Sequence, residues 1–186
     1  MKKRNALITA AVISFFSLGA WAQNSYTSTT TRTTSERDGP IFQADEVSLD
    51  LFGSVAVPRD TLYNMSWNRL NDTGRLGAGA GVNYFMTRYI GIGGDAWTEN
   101  TAQRFIDNTS GSLIIRIPID AIHIAPYGFG GGGYQFDYDN AAFLHAGAGL
   151  DIRLTHNFGL FVDARYIWPR DHADFGLGRA GIRITF

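Results

Sequence analysis

The last eleven residues, Gly176 to Phe186, constrain the fold more than any other stretch. Gly178, Ala180, Ile182, Ile184 and Phe186 fall on one face, and Leu177, Arg179, Gly181, Arg183 and Thr185 on the other. A period of two defines a strand. A half-buried strand of a water-soluble sheet rarely carries two arginines opposite its apolar stripe and ends at once on an aromatic. A strand that crosses a bilayer in a closed barrel has reason to do both. One face meets lipid, the other meets a polar lumen, and the aromatic anchors the strand at the interface.

The other end of the chain supplies a route to a membrane. Lys2, Lys3 and Arg4 precede an uncharged, mostly apolar stretch from Ala6 to Ala20, and Ala20-Trp21-Ala22 is a small-x-small cleavage site. This is the pattern of a secretory signal, so 1–22 is expected to be removed. The apolar stretch is shorter than the ~20 residues of a helical span. Residue 23 is Gln rather than Cys, which disfavours a lipoprotein.

Removing the three signal charges moves the formal charge from -1 to -4. That is too small to imply nucleic acid or an anionic surface as partner. Cysteine is absent, which excludes a disulfide framework and thiolate metal sites. Both lysines lie in the signal, so every later basic residue is arginine. Guanidinium groups suit bidentate pairing with carboxylates in a confined space; genomic base composition would give the same bias.

From Gln23 to Asp45 the chain is polar and Thr-rich, with nothing to form a core, and reads as a flexible tail. The remainder, 46–186, divides into eight strand-like segments near 46–57, 74–86, 89–98, 110–119, 122–134, 142–154, 158–168 and 176–186. Each is long enough to cross a bilayer at a tilt. In the first, Val47, Leu49, Leu51, Val55 and Val57 oppose Ser48, Asp50 and Ser54; in the sixth, Leu144, Ala146, Ala148, Leu150 and Ile152 oppose His145, Gly147, Gly149, Asp151 and Arg153. The fifth has no consistent phase, and Pro126 predicts a bulge there. The connections alternate between short hinges (Thr87-Arg88, Asp120-Ala121, Thr155 to Asn157) and polar loops of 16, 11, 7 and 7 residues. Short periplasmic turns and longer outer loops are the layout of an outer-membrane barrel. The expected fold is therefore all-β: an eight-stranded, antiparallel, up-and-down transmembrane barrel.

These features, with the glycine-spaced strands Gly77 to Gly81 and Gly147 to Gly149 and the terminal Ile-Thr-Phe186, resemble the small outer-membrane barrels similar to the OmpA transmembrane domain and OmpX. The resemblance covers 46–186 and has no counterpart of the OmpA peptidoglycan-binding domain. It implies the outer membrane of a Gram-negative bacterium and a setting of outer-membrane lipid and lipopolysaccharide. It also implies delivery by periplasmic chaperones and recognition of Phe186 by the barrel-assembly machinery.

The main polar constellation is the inward set Asp50, Arg75, Asp95, Arg116, Asp151, Arg153, Asp163, Arg165, Arg179 and Arg183. Barrels of eight strands have interiors just wide enough for side chains, and an unpaired charge there is costly. A salt-bridge ladder is the expected role, with Asp50 and Asp163, on the strands that flank the eighth, as the natural candidates to pair with Arg179 and Arg183. The glycines at 77, 79, 81, 91, 93, 147 and 149 would make room for the arginines or ease strand curvature. No catalytic, cofactor or metal site is expected: His123, His145, His156 and His172 lack ligand spacing, and Asp171-His172 lacks a nucleophile. Tyr84, Tyr134, Phe158, Tyr166, Trp168 and Phe186 fall near strand ends, where aromatic girdles sit.

The expected function is structural or surface interaction, with contact through the first outer loop, Pro58 to Thr73, which carries Tyr63, Met65 and Trp67. Tyrosine and tryptophan give large contact area at low entropic cost. Two alternatives are a lipid-A-modifying enzyme and a small porin-like pore. The His-x-Ser pair of the lipid A deacylases is missing, since Gly147 and Ala125 stand where that serine would follow His145 and His123. Inward arginines disfavour a pore.

Overall fold

A computed structural model describes residues 39–59, 75–99, 106–136, 141–170 and 173–186, all within one compact unit, 39–186. The cleavage signal and most of the tail therefore lie outside the described residues. Eight strands follow in order: β1 Glu46–Pro58, β2 Arg75–Phe85, β3 Ile90–Thr98, β4 Asn108–Arg116, β5 Ile124–Gln135, β6 Ala141–Arg153, β7 Phe158–Pro169 and β8 Phe175–Thr185. Every neighbour is antiparallel, and β1 pairs with β8, so the sheet is a closed barrel without edges.

Alternation explains the closure. Leu76, Ile92, Leu113, Ile115, Leu144, Leu160 and Val162 remain exposed on the outer wall. Ser48, Asp50, Asn83, Arg116, Asp151, Arg153, Asp163, Arg165 and Arg183 are buried inside. A water-soluble fold would invert that pattern; a barrel in lipid requires it. No helix among the described residues is long and apolar enough to cross a membrane. Tyr84, Phe158, Trp168 and Phe186 are exposed near strand ends, and the Tyr166 and Trp168 rings pack at 5.0 Å between centroids, tilted by 55°.

Two of the short turns share one device. The Thr87 hydroxyl accepts the N–H groups of Tyr89 and Ile90 at 3.2 and 2.9 Å, and the Thr155 hydroxyl accepts those of Asn157 and Phe158 at 3.3 and 3.0 Å. A hydroxyl that satisfies backbone donors beyond it lets the chain reverse in few residues. The third turn is a 3-10 helix, Asp120–Ile122, ended by His123 at φ 58°, and is longer than the Asp120-Ala121 hinge expected.

The fifth strand corrects the sequence reading. Its register is unbroken on both sides, with Arg116 opposite Tyr127 on β4, and Pro126 opposite Leu150 and Gln135 opposite Ala141 on β6. There is no bulge. Pro126 faces Ile117, just past the end of β4, where the Ile117 N–H still donates to the Pro126 carbonyl at 2.8 Å. One ladder bond is lost, at the strand's end, where the loss is tolerable. Tyr127 and Phe129 point inward and are buried.

The tail boundary also shifts. Residues 39–45, assigned to the polar tail, fold into the turn end of the barrel. Phe42 is fully buried, and Ile41 packs on Ala125. The backbone then leaves for β1 through Asp45 at φ 54°, a left-handed conformation that Asp tolerates better than most residues.

Candidate functional site

The lumen is the polar centre of the molecule. Five carboxylates, Glu46, Asp50, Asp95, Asp151 and Asp163, meet five guanidinium groups, Arg116, Arg153, Arg165, Arg179 and Arg183. At the turn end Glu46 takes Arg116 at 2.8 Å and Arg153 at 2.5 Å. Arg153 continues to Asp151 at 2.9 Å, Asp151 to Arg183 at 2.6 Å, and Arg183 to Asp50 at 2.7 Å. Towards the loop end a second chain runs from Asp163 to Arg179 at 2.7 Å, then to Asp95 and on to Arg165, both at 2.6 Å. Tyr127 joins the two: its hydroxyl donates to Asp163 at 2.8 Å, and its ring lies 5.7 Å from the Arg183 guanidinium.

Formal charge balances within this set. Burying each ion costs several kcal/mol, and only good geometry with further hydrogen bonds offsets that cost. Both conditions hold here. Arg183 reaches Asp50 through two nitrogens, and Arg179 does the same with Asp163. Asn83 adds a bond to Asp50 at 2.9 Å, Ser110 one to Asp95 at 2.5 Å, and Thr185 accepts from Arg153 at 2.7 Å.

Arginine faces are covered by aromatic rings. Arg116 lies 3.6 Å from the Phe85 centroid and 5.2 Å from Phe42, Arg153 5.1 Å from Phe42, and Arg179 4.7 Å from Phe52. The rings of Phe52, Phe85, Phe129 and Tyr127 stand against four of the inward glycines. A Cβ on Gly79 would lie 2.6 Å from Phe52, on Gly91 2.7 Å from Phe85, on Gly147 2.6 Å from Phe129 and on Gly149 2.7 Å from Tyr127. At Gly79, Gly147 and Gly149 a carbonyl oxygen of the neighbouring strand would lie 2.4–2.5 Å from the same Cβ, so ring packing and close strand approach together exclude a side chain there. Above the ionic layers, Phe52, Trp97, Phe143, Phe161, Ile167 and Leu177 form an apolar cap. Between the layers remains a cavity of about 20 Å³, room for about one water.

Arg75 departs from the expected set. It shares the inward phase, opposite Ala56, but sits at the loop-end rim and is exposed. Glu46 and Phe42 escaped the sequence reading. Glu46 continues the spacing of Ser48 and Asp50 and could have been found from it. Phe42 stood in a polar stretch with no period to mark it. His145 is buried, with Nε2 3.3 Å from the Gly111 carbonyl oxygen. Among the described residues no cluster of His, Asp or Glu could hold a metal ion.

At the loop end, beyond β3, the Glu99 carboxylate accepts the Trp97 indole N–H at 3.0 Å, and the Glu99 N–H donates to Asp107 at 2.8 Å. Burial pushes the Glu99 carboxyl above its ordinary value, and the Trp97 bond offsets part of that. Tyr63, Met65 and Trp67 lie outside the described residues, as do Asp171 and His172. Phe186 is exposed on the outer wall, with its N–H donating to the Val47 carbonyl at 2.9 Å.

No protein-family model matches this chain, and no curated protein does. Among solved structures, the N-terminal β-barrel domain of Pseudomonas aeruginosa OprF superposes with a TM-score of 0.59 at 16% identity, over 77% of this chain and 99% of that one. The P. aeruginosa outer-membrane protein OprG gives 0.49 at 12% identity, over 77% and 97%. A de novo designed transmembrane β-barrel gives 0.49 at 17% identity, over 77% and 98%. The OprF likeness shows the fold: an all-β, closed, eight-stranded antiparallel transmembrane barrel of the outer-membrane type.

Proposed function

We propose that this protein is a non-enzymatic barrel of the bacterial outer membrane that holds its outer loops at the cell surface for contact with other surfaces. One observation carries the reading: ten charges of the lumen are spent on one another. Five acids and five arginines form continuous ion-paired chains, and the cavity between them is about 20 Å³. A general acid, base or nucleophile needs a group free to exchange a proton with substrate, and a pore needs a water path. The interior is organised as a rigid filling, which suits a stand for loops.

The first loop is the proposed contact surface, with Tyr63, Met65 and Trp67 as its anchors. Its setting would be the lipopolysaccharide headgroup layer. On the way to the membrane the chain would be carried by periplasmic chaperones and docked by the assembly machinery through Phe186. The test is adhesion of expressing cells to cultured epithelial monolayers and to one another. Replacing Tyr63, Met65 and Trp67 together by alanine is expected to abolish adhesion while leaving the barrel inserted and heat-modifiable. Undiminished adhesion of that variant would remove the contact role and leave the structural one.

A further inference from the structure

Seven residues ahead of β1 lie across the turn-end mouth of the barrel. Gly39 stands beside the β6–β7 turn, its carbonyl oxygen 3.4 Å from His156 Nε2. Ile41 packs on Ala125 of β5. Phe42 is fully buried, its ring centroid 5.2 and 5.1 Å from the guanidiniums of Arg116 on β4 and Arg153 on β6. Asp45 lies at the rim, where Oδ1 accepts the Tyr84 hydroxyl of β2 at 2.8 Å. The segment thus runs from the β6–β7 turn, over the interior, to the start of β1.

Side chains hold this segment, and the sheet does not. Among the described residues no backbone-to-backbone hydrogen bond ties 39–45 to a strand. Its further polar ties are two: Arg116 Nη2 donates to the Gln43 carbonyl at 2.9 Å, and the Gln43 N–H donates to Glu46 Oε2 at 3.3 Å. The ladder begins at the next residue, Glu46, opposite Phe85. Between ladder and segment, Asp45 turns the chain at φ 54°. A segment with so few backbone bonds opens at a smaller free-energy cost than the whole fold. Its departure also strands no ion. Arg116 keeps Glu46 and the Arg88 carbonyl, and Arg153 keeps Glu46, Asp151 and Thr185. The large penalty for an unpaired buried charge therefore does not oppose opening, and burial of Ile41 and Phe42 is what keeps the segment down.

We propose that residues 39–45 are a lid, hinged at Asp45, that closes over the turn-end mouth and opens without unfolding of the barrel. Closed, it keeps water from Arg116, Arg153 and Glu46, whose side chains are 1%, 0% and 3% exposed. Open, it admits water as far as that cluster. Beyond it the second ion-paired chain and the apolar cap still fill the lumen, so the open lid gives the periplasm a shallow, charged mouth and no path through the membrane.

The test uses the whole chain in nanodiscs and exploits its lack of cysteine. Ala125→Cys, beneath Ile41 and fully buried, is the reporter of the lid. Ile122→Cys, 59% exposed in the neighbouring turn, is the open control, and Ala56→Cys, buried in the apolar cap, reports the barrel as a whole. Each is reacted with a small, water-soluble methanethiosulfonate. Position 125 is expected to react far more slowly than position 122, and Phe42→Ala should speed it on the order of a hundredfold, as loss of a core phenylalanine supports, with position 56 unchanged. The hinge gives a second handle. Asp45→Val, a β-branched residue that resists positive φ, should speed position 125 roughly tenfold, while Asp45→Asn, which tolerates that φ and can still accept from Tyr84, should leave it as it is. Reaction at 125 as fast as at 122 in the unaltered lid would overturn the proposal, as would insensitivity of 125 to both Phe42→Ala and Asp45→Val. Equal acceleration at 125 and 56 would overturn it too, because the segment would then be part of the barrel's core rather than a lid.

Discussion

Arg183 grips Asp50 with both Nε and Nη2, each at 2.7 Å, directly across the seam where β8 meets β1. The same guanidinium reaches Asp151 at 2.6 Å. Asp50→Ala should therefore leave a buried arginine half paired, at a cost of about 3–5 kcal/mol. Denaturant unfolding in lipid vesicles would measure it. The double replacement Asp50→Leu with Arg183→Met should cost less than Asp50→Ala alone. A double variant no more stable than the single one would show that the pair does not act as a unit.

Glycines should divide by the face they occupy. Gly149→Ala would place a Cβ 2.5 Å from that of Asp163 and 2.7 Å from the Tyr127 ring, and overpacking of this kind costs about 1–3 kcal/mol. Gly128→Ala on the outer wall should stay within about 0.5 kcal/mol, as surface replacements usually do. Comparing the two midpoints in one urea series decides it, and similar losses would contradict the packing assignment.

Phe42 is fully buried in the turn end, below Arg116 and Arg153. Phe42→Ala should cost about 3 kcal/mol of local stability, the low end for a core phenylalanine, because water can refill a mouth. Amide exchange of residues 41–45 should accelerate while the centres of β6 and β7 stay protected. Unchanged exchange would mean the segment is held by its backbone contacts alone, such as the Gln43 carbonyl to Arg116 bond at 2.9 Å.

Phe186 is outward and exposed, so Phe186→Asp removes little packing. Its expected effect is on assembly: protein held in the periplasm, with loss of the heat-modifiable membrane form. Normal insertion, read by fractionation, would limit Phe186 to an anchoring role.

Glu99 predicts a pH dependence. Its carboxyl is raised by burial, so the folded chain binds its proton more readily than the unfolded one. Stability should start to fall once pH passes the ordinary carboxylate value, and stop falling above the raised one. Glu99→Gln should flatten that part of the stability–pH curve. An unchanged slope would place the dependence on another group.

The architecture was legible because lipid and lumen impose opposite demands on alternate residues, and strands with a branched aliphatic on one face and a charge on the other record both. The Arg183–Asp50 and Arg179–Asp163 contacts follow from adjacency of strands. Other features left no such record. The fifth strand hides its phase because glycines stand outside and Tyr127 and Phe129 inside, the reverse of the hydropathy rule. Inward Phe52, Trp97 and Phe161 look like lipid-facing residues until the guanidiniums they cover are seen. Arg75 keeps the inward phase and differs from Arg165 only in height along the barrel, which alternation does not encode. Phe42 is recognisable only once Arg116 and Arg153 are placed above it.

Pairing β1 with β8 has a consequence for time rather than stability. Asp50 and Arg183 are 133 residues apart, and the seam they clamp cannot form until the last strand has been made and delivered. Until then β1 carries an unpaired edge, and the contact that would satisfy it has the greatest loop-closure entropy to overcome. Such a chain folds slowly if left alone and is exposed to aggregation while it waits. Closure of the circle is thus the natural step for a catalyst to accelerate, and the seam is the place where the speed of folding, rather than its end point, is decided.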